Sequence, residues 1–242
     1  MSKQIGPDIP PAILAGRSTD WELHTPISVY DQLTLVGDAD KGAKKQAVDR
    51  LLSLGLEVIY PAIENAIRDD SHADLRNGAM EVLVKFGTAA LPKLFALLED
   101  ENEEVRNFAT VMLGEIGSSA AVGPLIKALD DSDSNVQHGA AEALGKLHDE
   151  SAFEPLVKLL DDGFWHQNAA IYALGEMRAV KALPQLLHLL EDKILLEPVI
   201  GALGKIGDER ALAPLLVIMD SLSGRETAVA ERAIEAIRRQ AV

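Results

Sequence analysis

From residue 91 onward, apolar side chains return at three- and four-residue steps, the spacing of one face of a helix, and two kinds of segment alternate. The first kind reads LPKLFALLED, VGPLIKALDD, FEPLVKLLDD and LPQLLHLLED, with proline in the first turn and an acidic pair at the end. Proline is tolerated there because the first helical N–H groups have no partner within the helix. The second kind reads VRNFATVMLGEIG, VQHGAAEALGKLH, QNAAIYALGEM and EPVIGALGKIG. Each consecutive pair predicts a helical hairpin with an apolar face that only the next hairpin can bury.

The pattern has a period. Prolines at 61, 92, 124, 155, 184 and 214 are 31, 32, 31, 29 and 30 residues apart, and glycines at 114, 145, 175 and 204 are 31, 30 and 29 apart. Small residues at Ala109, Ala140, Ala141, Ala170 and Ala173 allow close helix approach, and Leu113, Leu144, Leu174 and Leu203 recur on the face to be covered. The ends depart from the pattern. Residues 41–70 form a weak first unit without the glycine, and residues 225–240 a final helix with a charged outer face, the atypical ends a stack of repeats needs for solubility. Residues 1–40 fit no unit. Pro7, Pro10, Pro11 and Trp21 suggest an extended, partly disordered N-terminal arm with a short helix at 26–36, either a free tail or an arm packed on the first repeat.

These units resemble the short HEAT-like repeats of the phycobilisome-lyase type, with a Val-Arg start, an Ala-Leu-Gly body and a Pro-Leu helix. The likeness is carried by Leu75-Arg76, Val105-Arg106 and Val136-Gln137 together with the glycines and prolines above, over roughly residues 41–242. Ankyrin and tetratricopeptide units have similar periods, but no T-P-L-H start and no W…L-G…Y pattern occurs. The resemblance implies an all-α fold, a right-handed α-solenoid (superhelix) of about six HEAT-like helical hairpins. It also implies that the helix beginning Val-Arg lines the concave wall. By alignment that wall presents Asn77, Asn107, His138, Asn168 and Glu197, flanked by Gly78, Phe108, Gly139, Ala169 and Pro198. Further along the helices come Glu81, Val111, Glu142, Tyr172 and Gly201, then Lys85, Glu115, Lys146, Glu176 and Lys205.

Three asparagines and a histidine at one repeat position can donate to and accept from successive backbone groups of an extended peptide. They also fit helix capping or plain solvation, since asparagine favours helix starts. The small residues at 78, 139, 169 and 201 either leave room in the groove or serve close packing. The stretch GFWHQN at 163–168 puts Phe164, Trp165 and His166 in a turn where another unit has DENEE. Trp165 and nearby Tyr172 are the leading contact candidates, because such rings bury much area with few rotors; filling space in a shorter unit is the alternative. The candidate partner-binding set is Asn77, Asn107, Phe108, His138, Glu142, Trp165, His166, Asn168 and Tyr172.

Acidic pairs at 69–70, 99–100, 130–131, 161–162 and 191–192 look like a metal ladder, yet each precedes a helix start, where carboxylates cap and oppose the helix dipole, with Arg76 and Arg106 in reach. They are read as caps and no metal is expected.

Composition narrows the function. A net charge of −15 repels phosphate backbones and anionic membrane surfaces, so no nucleic acid or membrane is expected as a partner. With no cysteine there is neither a disulfide nor a thiolate nucleophile, which suits a reducing cytoplasm. The first residues lack the apolar core of a secretory signal and no stretch approaches the length of a membrane span, so a cytoplasmic protein is expected. HEAT-like metal-dependent hydroxylases require repeated His-Glu dipeptides, and none of the six histidines here precedes glutamate. Gly-rich phosphate loops, Gly-x-Ser-x-Gly elbows and His-Glu-x-x-His are absent. His138 and Glu142 stand one turn apart as an acid and a base would, a spacing also common on exposed helices. The reading is a non-catalytic protein-binding or scaffold/adaptor protein without a cofactor, binding another protein or peptide on its concave face, with hetero-oligomers possible. The alternative, implied by the resemblance alone, is a subunit of a bilin lyase or a chromophore-handling factor.

Overall fold

A computed structural model describes residues 28–38 and 41–240, so of the extended arm expected over residues 1–40 the part at 1–27 lies outside the described residues. Among the described residues there are fourteen α-helices and no strand, and the chain divides into two compact units, residues 1–86 and 87–242.

The first unit holds α1 (Val29–Asp38), α2 (Lys41–Leu54), α3 (Leu56–Ile67) and α4 (Ala73–Lys85). Helix α1 begins three residues later than the hydrophobic pattern predicts, because Ser28 and Asp31 cap it reciprocally. The Ser28 hydroxyl donates to the Asp31 carboxylate (2.8 Å), and the Asp31 N–H donates back to the hydroxyl (3.1 Å). Leu33 and Val36 of α1 are fully buried, and the helix lies directly on α4. Backbones nearly touch at two glycines: a Cβ on Gly78 would overlap the Leu33 carbonyl oxygen, and one on Gly37 the Asp74 carbonyl oxygen. Pro61 departs from the later prolines by lying inside α3 instead of in its first turn.

The second unit alternates short and long helices. The short ones are α5 (Leu91–Leu97), α7 (Val122–Ala128), α9 (Phe153–Lys158), α11 (Leu183–His188) and α13 (Leu212–Ile218). The long ones are α6 (Glu103–Ile116), α8 (Ser134–Leu147), α10 (Phe164–Glu176), α12 (Leu196–Ile206) and α14 (Arg225–Gln240). Pro92 and Pro184 occupy first-turn positions, where their missing N–H costs nothing. Leu113, Leu144, Leu174 and Leu203 of the long helices are fully buried, as are Leu94, Leu125, Leu156, Leu186 and Leu215 of the short ones. These leucines form the strip of core between the two layers.

Neighbouring long helices pack directly on one another, while each short helix packs chiefly within its own hairpin. The long-helix contact repeats. A Cβ built on Gly114, Gly145, Gly175 or Gly204 would stand 3.0, 2.9, 2.9 or 2.8 Å from Ala143, Ala173, Ala202 or Ala233 of the next long helix. Close contact in one layer and wider spacing in the other bends this unit toward its long helices, so their exposed side is the inner wall of an α-solenoid.

Candidate functional site

Helices α6, α8 and α10 each show the inner wall a line of side chains at i, i+3, i+7 and i+11, the spacing of one helix face. On α10 the line is Trp165, Asn168, Tyr172 and Glu176; on α8 it is Asn135, His138, Glu142 and Lys146; on α6 it is Glu104, Asn107, Val111 and Glu115. Asn107, His138, Glu142, Trp165, Asn168 and Tyr172 therefore share one surface across three consecutive hairpins. Trp165 is 68% exposed and stacks edge-on against Phe164, their ring centres 5.2 Å apart. Tyr172, 38% exposed, carries the Lys205 ammonium over its ring, 4.3 Å from the centre. Burial, with the carboxylate of Glu176 beside it, pushes the Tyr172 phenol above its ordinary pKa, while a hydrogen bond from Lys205 pulls Glu176 below its own. Trp165 and Tyr172 thus lie two turns apart on one face of α10.

Asn77, His166 and Phe108 are placed elsewhere. Asn77 is exposed on α4 of the first unit. His166 points away from the wall and joins the turns: its Nε2–H donates to Gln137 Oε1 of the preceding hairpin, and Nδ1 lies 2.8 Å from the Asp162 carboxylate. Phe108 is half-buried. The Glu142 carboxylate forms an ion pair with Lys146 (3.0 Å), its neighbour one turn on.

Two of the four small positions do not leave groove volume. The space beside Gly78 is occupied by α1, and that beside Gly139 by the Asn107 amide and the Thr110 hydroxyl of the preceding helix. Nothing stands within 4 Å of a Cβ on Gly201, where the wall is open.

The acidic pairs are tied into the backbone. Asp100 and Asp131 each accept from an N–H two residues on, at 2.9 and 2.8 Å. The helix caps proper are Asn102 and Asp133, which accept from the N–H groups of Glu104 and Asn135 at 2.8 and 2.9 Å. From the fourth residue of α6 and of α10 a side chain donates back to the preceding turn, Arg106 to the Asp100 carbonyl (2.8 Å) and Gln167 to the Leu160 carbonyl (2.9 Å). Arg106 also grips Asp131 of the next hairpin in a bidentate pair, both bonds 2.8 Å. That hydrogen bonding lowers the Asp131 pKa. Among the described residues, no group of three or more His, Cys, Asp or Glu side chains has the geometry to hold a metal ion, and no helix is long and apolar enough to cross a membrane.

Sequence comparison decides the family. Residues 91–166 match the model for HEAT repeats, and residues 167–192 and 199–221 match that for the PBS lyase HEAT-like repeat, more than half of the chain in total. The chain belongs to the HEAT-repeat family. No curated protein matches it. Among solved structures, these HEAT repeats are similar to a designed armadillo repeat protein in complex with the peptide (KR)4, at 21% identity over 87% of this chain and 100% of that one, with a TM-score of 0.52. The CpcE–CpcF complex of phycocyanin lyase from Nostoc sp. PCC7120 aligns at 22% identity over 72% and 93% of the two chains, TM-score 0.44. An archaeal HEAT-like repeats protein from Thermococcus onnurineus NA1 aligns at 18% over 89% and 98%, TM-score 0.48. At 21% identity the likeness to the designed armadillo repeat protein establishes the α-solenoid fold alone.

One exposed apolar side chain escaped the sequence reading. Ile194 is 70% exposed in the turn before α12, one repeat on from Trp165. Its spacing of 29 residues from Trp165, in a turn that is polar elsewhere, was the available signal.

Proposed function

We propose that this HEAT-repeat protein is a non-catalytic adaptor whose second unit holds a polypeptide partner along the inner wall of its long helices. The observation carrying the reading is the exposure of Trp165 on the same helix face as Asn168 and Tyr172, continued at the neighbouring position by Ile194. An exposed tryptophan, a tyrosine held under a lysine and an exposed isoleucine around an amide-lined floor have the make-up of a binding hot spot. The packing residues, by contrast, are used up in holding hairpins together. Asn107, His138 and Asn168 supply donors and acceptors for a main chain laid across them, and a cytoplasmic partner protein is the expected occupant. The test is affinity capture from the native cell with wild type and with the Trp165→Ala/Tyr172→Ala double variant, followed by titration of the identified partner. Affinity should fall at least tenfold, about 1.4 kcal/mol, with helix content unchanged; equal affinity refutes the site.

A second reading rests on the match of residues 167–192 and 199–221 to the PBS lyase HEAT-like repeat, which makes a bilin-handling subunit the rival. Mixing the chain with a bilin and an acceptor protein and recording visible absorbance separates the two.

A further inference from the structure

In a chain of net charge −15, the cavity where the last three long helices meet is basic. It holds about 450 Å³; its floor is made by Gly175, Gly201 and Gly204, and Val229, Ala233 and Ala236 of α14 form an apolar side. Arg178, Lys205 and Arg232 line it together with a single carboxylate, Glu176. That carboxylate is already engaged by Lys205, so the two arginines carry the excess positive charge. Arg232 donates from Nε to the Ala228 carbonyl (3.1 Å), and its terminal nitrogens carry four further N–H donors. Among the described residues neither arginine is in an ion pair. Gly201 admits a ligand backbone close to α12, since a side chain there would stand in otherwise open space, whereas Gly175 and Gly204 are turned to the next helix.

We propose that this cavity takes the C-terminal carboxylate of the polypeptide held in the groove, with a small apolar last side chain against Val229 and Ala233. The inference rests on the groove reading above and deepens it. Charge complementarity selects this occupant. A wholly acidic segment is repelled by the molecule at large and by Glu104 and Glu115 at the other end of the same wall. A neutral or basic chain ending in one free carboxylate matches both ends. Guanidinium groups suit it because their paired N–H donors match the two carboxylate oxygens.

Two peptide libraries of about ten residues, identical but for a free carboxylate or a carboxamide at the end, are passed over the immobilised full chain. The best binders are made in both forms and titrated by fluorescence anisotropy. Amidation should weaken binding about tenfold or more. Arg232→Gln should weaken the free acid by a similar factor and leave the amide unchanged, while Trp165→Ala/Tyr172→Ala should weaken both forms. Equal affinity of acid and amide, with no effect of Arg232→Gln or Arg178→Gln, overturns the carboxylate site and leaves the groove standing. If neither library yields a binder, the groove reading fails, and the carboxylate site with it.

Discussion

Gly145→Ala and Gly201→Ala are the same chemical change in the interior of two long helices, and the structure assigns them opposite signs. In an open helix position alanine is better than glycine by about 0.8–1 kcal/mol, because glycine loses more backbone freedom on folding. At Gly201 nothing lies within 4 Å of the added methyl, so this gain is realised and Gly201→Ala stabilises by about 1 kcal/mol. At Gly145 the methyl would stand 2.9 Å from the Ala173 Cα and 3.2 Å from its carbonyl oxygen, both backbone atoms that no rotamer change can move. Van der Waals contact requires nearly another ångström, so α8 and α10 must separate and loosen the leucines beneath them. Overpacking of this kind costs about 1–3 kcal/mol. After the propensity gain, Gly145→Ala is left destabilised by about 1 kcal/mol, so the pair should differ by about 2. The assay is urea unfolding followed by circular dichroism at 222 nm, comparing midpoints, since a stack of repeats need not unfold in one step. Midpoints moving in the same direction for both variants would refute the account of helix spacing.

Three other outcomes follow from the same contacts. Gly78→Ala should cost about 3 kcal/mol or expel α1 from α4, since the methyl overlaps a carbonyl oxygen; faster proteolysis near residues 38–41 reports the loss. Arg106→Gln leaves Asp131 without its bidentate partner at side-chain exposures of only 12% and 14%, between the surface and buried cases, and should cost about 2 kcal/mol by urea unfolding. Because the folded Asp131 pKa is depressed, its contribution is present above the unfolded value of 3.8 and lost as pH falls through the folded value. The difference between wild type and Arg106→Gln should accordingly shrink below pH 4. His148 ends α8 with φ of +53°, a conformation that Gly117 and Gly207 supply at other helix ends, so His148→Gly should raise the thermal midpoint by relieving about 1 kcal/mol of backbone strain.

Elements set by local chemistry were legible in the sequence. Pro92 and Pro184 mark helix starts, and the glycines at 114, 145, 175 and 204 mark the close contact, because each reports a constraint of its own backbone. Destinations that depend on the adjoining hairpin were not. Arg106 reaches Asp131, 25 residues away, and His166 reaches Gln137, 29 residues away; nothing local to either residue says so. The volume beside Gly78 and Gly139 likewise depends on what the neighbouring helix puts there: α1 in one case, the Asn107 amide in the other. The line of Asn168 and Tyr172 was recoverable from helical spacing, whereas Trp165, expected in a turn, joins that line because the helix begins already at Phe164, and the basic cavity at Arg178 and Arg232 joins residues from different hairpins and appears only once the helices are stacked.

The glycine-to-alanine contact has the same chemistry on both sides of the hairpins that hold α8, α10 and α12, so these hairpins are interchangeable parts. Removing residues 149–178 would join His148 to Ala179 and bring Gly145 to face Ala202 in place of Ala173, with no new kind of interface. The shortened chain would keep its stacking rule while losing Trp165, Asn168 and Tyr172 together. In this chain, then, the length of the inner wall and the side chains it presents can be changed in whole-hairpin steps, independently of what holds the stack together.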